Sequence, residues 1–152
     1  MQVSESDRRL LRHLQQAPEL AQAELAARAG LSVATCSRRL ERLSRAGVIV
    51  GQRAVINWQA LGYEVQVSLR VTLEKSDPRA FDDFLAGARE VPEVLEIQTF
   101  LGRVDVRLHM LARDMAHYQH LYRTRILTLP HIAEVEALVQ LAEIVSDRGL
   151  PL

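Results

Sequence analysis

The sequence is poor in several features that mark common classes of protein. It has one cysteine, Cys36, in 152 residues, so a single chain cannot form a disulfide. This usage is typical of a reducing compartment. No apolar run approaches the roughly 20 residues of a membrane-spanning helix, and the first residues lack the apolar centre of a signal peptide. We therefore expect a cytoplasmic protein that does not contact a membrane.

Charge is unevenly distributed, although the formal net charge is zero. Residues 1–60 contain nine arginines and five acidic residues, a net charge of +4, whereas residues 61–152 contain ten basic and fourteen acidic residues, a net charge of −4. A basic module on an acidic remainder is typical of a nucleic-acid-binding head. Because the excess is small, we expect several heads to act together on DNA.

Two helices joined by a tight turn are predicted around Gly30. This glycine ends the first helix in a left-handed conformation, and Ser32 is a good N-cap for the second. Leu31 and Cys36 then have the spacing of a hydrophobic staple, which would hold the angle at which the chain enters the helix. The spacing of apolar residues predicts that the second helix buries Val33, Cys36, Leu40 and Leu43.

The outer face of this second helix carries hydroxyl groups and arginines. Such side chains suit the major groove, where guanidinium groups reach guanine edges or phosphates. An ordinary solvated basic face is the alternative, but the turn, the staple and the basic face coincide here. The predicted DNA-contacting residues on this helix are Ser32, Thr35, Ser37, Arg38, Arg39 and Arg42.

Residues 1–56 are predicted to form a winged helix-turn-helix. The helices are expected over residues 4–16, 20–29 and 33–46, the first with a Ser4–Asp7 capping box. A short hairpin, the wing, is expected over residues 48–56, where Arg53 is placed to touch a backbone phosphate or to remain a solvated edge charge. Residues 57–63 are expected to be a linker.

Residues 64–152 show the order strand, helix, strand, strand, helix, strand, which predicts a ferredoxin-like βαββαβ sandwich and an α+β protein overall. Residues 65–73 alternate between apolar and polar side chains. Further strands are expected over residues 94–101 and 104–111, joined by a turn at Gly102–Arg103, and within residues 132–144. One helix is expected to have Asp77 as its cap and Pro78 in its first turn. The other is expected to be capped by Asp114, to have Met115 on its inner side and to end at Pro130.

An antiparallel sheet with both helices on one face leaves its other face uncovered. Leu138 and Ala142 place apolar groups on that second face of the last strand. An identical sheet from a partner chain would cover them, so the pattern predicts a homodimer. Such a dimer presents two recognition helices to DNA half-sites about 34 Å apart, or a multiple of that spacing.

Short motifs follow one another along the chain in a recognisable order. In the head they are Asp7-Arg8-Arg9-Leu10-Leu11, Glu24-Leu25-Ala26, Gly30-Leu31-Ser32, Arg39-Leu40-Glu41-Arg42-Leu43 and Gly47-Val48-Ile49. In the second module they are Leu61-Gly62-Tyr63, Pro92-Glu93-Val94, Gly102-Arg103-Val104-Asp105, Leu129-Pro130 and Leu150-Pro151-Leu152. In these motifs and their order, the chain resembles the Lrp/AsnC (feast/famine, leucine-responsive) family of transcriptional regulators over nearly its whole length.

The resemblance implies a regulator that binds double-stranded DNA, dimerises through its C-terminal sheets and assembles into an octamer. It also implies a small effector, usually an amino acid, bound between subunits near the Gly-x-x-Asp hairpin. Val104 stands where the family often has an aromatic residue, and Ala137 where it often has threonine. The effector-binding residues carried over are Leu101, Gly102, Arg103, Val104, Asp105 and Ala137.

Two other functions share this two-module plan. One is an enzyme similar to the sirohaem decarboxylases, and His117 and His120, three apart on a helix near Asp114, are candidate metal ligands for an enzyme. The other is an assembly protein that senses an effector without binding DNA. The sequence has no glycine-rich phosphate loop, Ser-His-Asp order or thiol pair. We therefore expect no catalytic residue, metal or cofactor, and a regulator in which the effector shifts the spacing or association of DNA-binding heads.

Overall fold

The computed structural model describes residues 2–146 and 149–152, and the chain divides into two compact units. The first comprises residues up to Val55 together with the segment from Ile144 to the last residue, and the second comprises Ile56–Glu143. Met1, Asp147 and Arg148, which the predicted domain ranges include, lie outside the described residues. No helix in the described part of the chain is both long and apolar enough to cross a membrane.

The first unit contains α1 (Glu5–Gln16), α2 (Gln22–Ala29) and α3 (Val33–Arg45). The predicted capping box is present, with the Ser4 and Asp7 side chains each accepting the other's backbone N–H. Ser32 caps α3 by accepting from the Thr35 N–H, and Gly30 ends α2 with a φ of 67°, as predicted. Because the Ser4 and Ser32 caps satisfy otherwise unpaired N–H groups, they set where α1 and α3 begin.

Apolar side chains from all three helices form the core of this unit. Its fully or nearly fully buried members are Leu10, Leu25, Ala26, Ala29, Cys36 and Leu43. Leu31, Leu40 and Ile49 pack against this cluster and are partly buried. The prediction for Val33 is wrong, since it is 49% exposed. Side chains on a helix lean toward its N-terminus, so the side chain of Val33, the first residue of α3, projects beyond the start of the helix and away from the core.

The predicted wing hairpin is also wrong in the described structure, because residues 46–57 contain no strand. Ile49 packs on the core, and its N–H and that of Val48 point to the Leu43 carbonyl. Val50 and Val55 are exposed. Two short strands without a third strand or a covering helix are only marginally stable in water, which explains why alternation alone did not produce a hairpin.

The end of the chain packs on α1. The Arg12 Nε–H donates to the Leu152 carbonyl over 2.7 Å. The Gln15 amide donates to the Leu150 carbonyl and accepts from the Leu150 N–H, over 2.7 and 2.9 Å. The sequence pattern predicts this segment as part of the second module, residues 64–152, and the structure places it with the first unit. Its position depends on side-chain contacts with a helix more than 130 residues away, which no local pattern reveals.

The second unit is a four-stranded antiparallel sheet with helices on one face. Its strands are β1 (Val65–Leu73), β2 (Val94–Thr99), β3 (Val106–Ala112) and β4 (Ile132–Val139), in the order β2-β3-β1-β4. Its helices are α4 (Ala80–Arg89) and α5 (Met115–Leu121), and α5 continues into a π-helical turn, Tyr122–Ile126. A short 3-10 helix, Gln59–Leu61, lies in the predicted linker.

The core of this unit lies between the sheet and its helices. Val67, Leu69 and Val71 from β1 pair with Met110, Leu108 and Val106 from β3, and all six are buried. They contact side chains from both helices and from the π-helical turn, namely Phe84, Ala88, Tyr118, Leu121 and Ile126. The predicted ferredoxin-like plan is therefore confirmed, with both helices covering the same face.

Four details of the second module differ from the sequence prediction. β4 ends at Val139, so Ala142 lies beyond it, and the Gln140 N–H donates to the Gln66 carbonyl near the start of β1. Met115, expected on the inner side of α5, is 44% exposed at the first helical position.

Helix α4 begins at Ala80, after a turn in which Asp77 accepts from the Arg79 N–H. The β2–β3 connection spans residues 100–105 and is longer than the predicted turn.

Candidate DNA-binding and effector sites

Helix α3 presents a continuous polar face to solvent. Ser32, Ser37 and Arg38 are exposed, and Thr35 is partly exposed. The Ser32 hydroxyl donates to Thr35 Oγ1 over 2.9 Å, and Arg38 Nη2 approaches the same oxygen at 3.4 Å. Apart from this long contact, the guanidinium group of Arg38 has no hydrogen-bond partner in the described residues. The structure therefore leaves Arg38 available to a ligand outside the chain.

Arg39 and Arg42 are instead held by a buried carboxylate. Asp7, in the first turn of α1, is fully buried. Arg39 Nη1 donates to Asp7 Oδ1 over 2.7 Å, and Arg42 Nη2 lies 2.7 Å from both carboxylate oxygens. Ser4 adds a hydroxyl donor at 2.7 Å and a backbone donor at 2.9 Å. This Asp7 cluster, made of Ser4, Asp7, Arg39 and Arg42, joins α1 to α3.

The Asp7 cluster keeps its carboxylate charged. Burial alone would raise the pKa of Asp7, but the hydrogen bonds from Ser4, Arg39 and Arg42 outweigh it and hold the pKa far below its usual range. The side chains of Arg39 and Arg42 remain 29% and 47% exposed, so each shows part of its guanidinium group to solvent. Both arginines therefore have an internal partner while still facing outward in part.

Sequence reasoning identified Asp7 only as a capping residue. Its arginine partners lie 32 and 35 positions away, and no periodicity within one helix could connect them. The remaining predicted DNA-contacting residue, Arg53, is exposed in the segment that contains no strand. DNA contact by the seven predicted residues remains a prediction. Among the four arginines, Arg38 and Arg53 are exposed, whereas Arg39 and Arg42 are bound to Asp7.

Five of the six predicted effector residues, Leu101 to Asp105, lie in the β2–β3 connection, where Asp105 anchors the loop to β1. Asp105 Oδ2 accepts the Leu73 N–H over 2.8 Å, and Lys75 Nζ lies 3.4 Å from Oδ1. The Asp105 N–H donates to the Val71 carbonyl over 3.0 Å, and the Thr72 hydroxyl donates to the Arg103 carbonyl over 3.2 Å. The loop is therefore tied to the end of β1 by side-chain and backbone bonds.

Arg103 and Val104 line a cavity of about 520 Å³ on the sheet face opposite the helices. The cavity contains charges of both signs: Arg70 and Arg103 on one hand, Glu134 and Glu136 on the other. Arg70 pairs with Glu136 across β1 and β4, with 3.5 Å between Nη1 and Oε2. Thr72 and Val135 complete the lining.

The other predicted effector residues are not brought to this cavity. Asp105 lines a smaller space of about 180 Å³ beside the start of α4. Ala137 pairs with Leu69 on β1, and it lines neither space. Leu101 is fully exposed, and Gly102, with a φ of 154°, has open space where a side chain would begin. Sequence reasoning missed Arg70, Glu134 and Glu136, whose only signal was their position on the outward face of alternating strands.

The candidate metal ligands have local roles in the fold. Asp114 caps α5 by accepting the His117 N–H over 2.7 Å, and His117 Nδ1 accepts the Arg113 N–H over 3.1 Å. No group of three or more histidine, cysteine or acidic side chains in the described residues is arranged to hold a metal ion.

A helix-turn-helix unit with an open basic face, joined to a sheet unit with a charged cavity, defines a two-module regulator that binds DNA and a ligand. A family model described as the Lrp/AsnC ligand-binding domain matches residues 66–150, and one described as winged helix-turn-helix DNA-binding matches residues 3–50. The chain belongs to the Lrp/AsnC family of transcriptional regulators. This is a family of regulators and not of enzymes, so the decarboxylase alternative is set aside.

The similarity covers both modules. The leucine-responsive regulatory protein of Haemophilus influenzae is 31% identical over 146 residues, which are 96% of this chain and 88% of that protein. A transcriptional regulator of Neisseria meningitidis, solved with L-Met, has a TM-score of 0.92 and 29% identity, covering 99% of this chain and 97% of that one. The feast or famine regulatory protein of M. tuberculosis, solved with L-methionine, has a TM-score of 0.86 and 29% identity, covering 98% and 99%.

Proposed function

We propose that this regulator reads operator DNA with α3 and responds to a free amino acid bound in the cavity that Arg70, Arg103, Glu134 and Glu136 line. The observation that carries the proposal is the pairing of two cations with two anions around one space. An α-amino acid is a zwitterion, so its carboxylate complements the arginines and its ammonium group complements the glutamates. The two relatives solved with methionine support the same class of effector.

In the proposed DNA complex, Arg38 reads base edges, because the single internal contact of its guanidinium group is long and made to a neutral oxygen. Ser32, Thr35 and Ser37 supply hydroxyl groups on the same helix. Arg39 and Arg42 stay on Asp7 and offer only the outer part of each guanidinium group to phosphates. Arg53 contributes a phosphate contact from the segment after α3.

We further propose that the protein acts in the cytoplasm as a homodimer that assembles into octamers. β4 is an edge strand, and Leu138 lies on the sheet face opposite the helices with 38% of its surface exposed. A second copy of the sheet would cover this face. Dimers place two copies of α3 on one duplex, which compensates for the modest charge of each head.

The experiment that tests the function is selection of bound fragments from genomic DNA, repeated with each amino acid in turn. One or more amino acids should change the set of bound fragments or their affinity. Titration calorimetry with that amino acid should then show about tenfold weaker binding for Glu136→Gln. Glu90→Gln, an exposed change at the end of α4, serves as the matched control. Failure to enrich any fragment would contradict DNA reading, and unchanged amino-acid affinity in Glu136→Gln would contradict the proposed cavity.

A further inference from the structure

The arginines of α3 differ in how their positive charge is balanced. Arg38 forms no ion pair within the part of the chain that the structure describes. Arg39 and Arg42 both pair with Asp7, whose side chain is completely buried while theirs are partly exposed. Along α3, Arg38 therefore keeps its full charge toward solvent, whereas a carboxylate inside the head balances part of the charge of Arg39 and Arg42.

The buried pairing also limits the hydrogen-bond donors that these two arginines offer outward. A guanidinium group has five N–H donors. Arg39 uses Nη1 on Asp7, and its Nε is buried without an acceptor in the described residues. Arg42 Nη2 lies 2.7 Å from both oxygens of the Asp7 carboxylate. Each guanidinium group is therefore held in one orientation, with only part of its donor set toward solvent.

A second acidic residue near these arginines, Glu41, is placed differently. Its carboxylate lies 3.0 Å from Arg45, but the side chains of Glu41 and Arg45 are 63% and 76% exposed. Exposed pairs of this kind contribute little, because water and salt screen them. Burial removes most of that screening around Asp7. We therefore expect Asp7, and not Glu41, to control how strongly the basic face attracts DNA.

We propose, on the basis of the proposed reading of DNA by α3, that Asp7 is a specificity-determining residue of the head. It is a positioning residue, because it acts through Arg39 and Arg42. Attraction to phosphates is independent of sequence and supplies nearly all of non-specific binding. By balancing Arg39 and Arg42, Asp7 lowers this attraction on any duplex, so that more of the discrimination depends on Arg38 and base edges.

The fixed orientation of the two arginines has a different effect at the operator. There α3 lies in a defined register, and a guanidinium group that is already ordered loses less entropy when it meets a phosphate at a set position. On other DNA the register varies, and a released guanidinium group would reach whichever phosphate is near. Loss of the Asp7 charge should therefore raise non-specific affinity more than operator affinity.

The test compares Asp7→Asn with Glu5→Gln in the full-length protein. Both changes remove one acidic group from the first turn of α1, and Glu5 is exposed. Each protein is titrated with a duplex that carries a selected operator and with a duplex of the same length and base composition in shuffled order, over a range of salt concentrations. Unfolding curves recorded by circular dichroism define a temperature at which every variant is folded.

For Asp7→Asn, affinity for the shuffled duplex should rise about fivefold at low salt, and the slope of log K against log salt should steepen by about 1. Affinity for the operator should rise less than twofold, so that the ratio of the two affinities falls. Glu5→Gln should change both affinities less than twofold. Asp7→Glu keeps the charge and should restore the slope, even where its longer side chain lowers stability.

Arg39→Lys tests the orientation of the arginine without any change at Asp7. Lysine keeps the charge but presents one ammonium group on a flexible stem, without the planar fork of arginine. The salt slope on the shuffled duplex should therefore stay the same, while affinity for the operator falls about threefold. Unchanged affinity for the operator would contradict the proposed role of a fixed orientation.

Equal gains in Asp7→Asn and Glu5→Gln would contradict the proposal, because net charge alone would explain them. A parallel loss of affinity on both duplexes would also contradict it, since a residue that only stabilises the fold gives that result. If the unmodified protein does not distinguish the operator from the shuffled duplex, DNA reading by α3 is contradicted instead, so the two failures are distinguishable.

Discussion

Each module contains an aspartate that stabilises its own fold, and the two aspartates do so in different ways. Asp7 in the head is fully buried and binds two guanidinium groups. Asp105 in the sheet module is 13% exposed, accepts one backbone N–H and lies near a single exposed lysine. Asp7 therefore joins two helices through charge, whereas Asp105 mainly fixes the path of one loop.

The difference shows how each module prepares its site. In the head, the carboxylate that stabilises the fold also orients two of the arginines on α3 and leaves Arg38 open. In the sheet module, the anchoring carboxylate lines a different space from the cavity that contains Arg103. Stability and recognition are therefore coupled through Asp7 in the head and are more separate around Asp105.

The largest expected effect comes from Asp7→Ala. Removing a buried carboxylate leaves Arg39 and Arg42 without their partner and the first turn of α1 without its capping box, at an expected cost of about 2–4 kcal/mol. Urea unfolding followed by circular dichroism measures it. Glu5→Ala, at an exposed position in the same turn, is the control, with an expected cost below about 1 kcal/mol. Similar losses of stability in both variants would show that Asp7 acts only through the favourable interaction of its charge with the α1 helix dipole.

Acid should weaken the head through the same residue. The pKa of Asp7 is lower in the folded than in the unfolded chain, so the folded state binds fewer protons and stability rises with pH. This contribution is complete at neutral pH and is lost as pH falls below about 4, the unfolded value. The melting temperature should therefore fall less steeply between pH 7 and pH 3 for Asp7→Asn than for the unmodified protein. Parallel slopes would show that other carboxylates dominate.

Arg38→Ala separates recognition from stability within the head. Arg38 has no contact with Asp7, so the free energy of unfolding should change by less than about 0.5 kcal/mol. Operator binding should weaken by about 1–3 kcal/mol at fixed salt. Arg28→Ala, which removes an exposed arginine paired with Glu24 on α2, is the comparison. If both variants bind equally well, Arg38 is not a reader of bases.

The smallest expected effect is that of Asp105→Ala. It leaves the N–H of the buried Leu73 without its acceptor, at a cost of about 1–2 kcal/mol. Because the β2–β3 connection carries Arg103, the response to the amino acid should be blunted while dimerisation is retained. Asp82→Ala, in the first turn of α4, is the control. A loss as large as that of Asp7→Ala would contradict the distinction between the two aspartates.

Features that depend on neighbouring residues were predictable. The caps at Ser4, Ser32 and Asp114 satisfy N–H groups within three positions along the chain. Alternation in β1 placed Val67 and Leu69 inside and Arg70 outside, because successive side chains in a strand point to opposite faces. From these local rules followed the order of the elements, the ferredoxin-like plan and the basic face of α3.

Contacts between distant segments were not predictable in the same way. The sequence by itself determined where α1, α3, α5 and β1 begin and which face of β1 is apolar, since capping and alternation act over a few residues. Only the tertiary structure decided that Arg39 and Arg42 bind Asp7, that Arg103 lines one cavity with Glu134 and Glu136 while Asp105 lines another, and that residues 48–56 contain no strand. The physical reason is that pairing of charges, and the stability of a lone hairpin, depend on which surfaces the folded chain brings together.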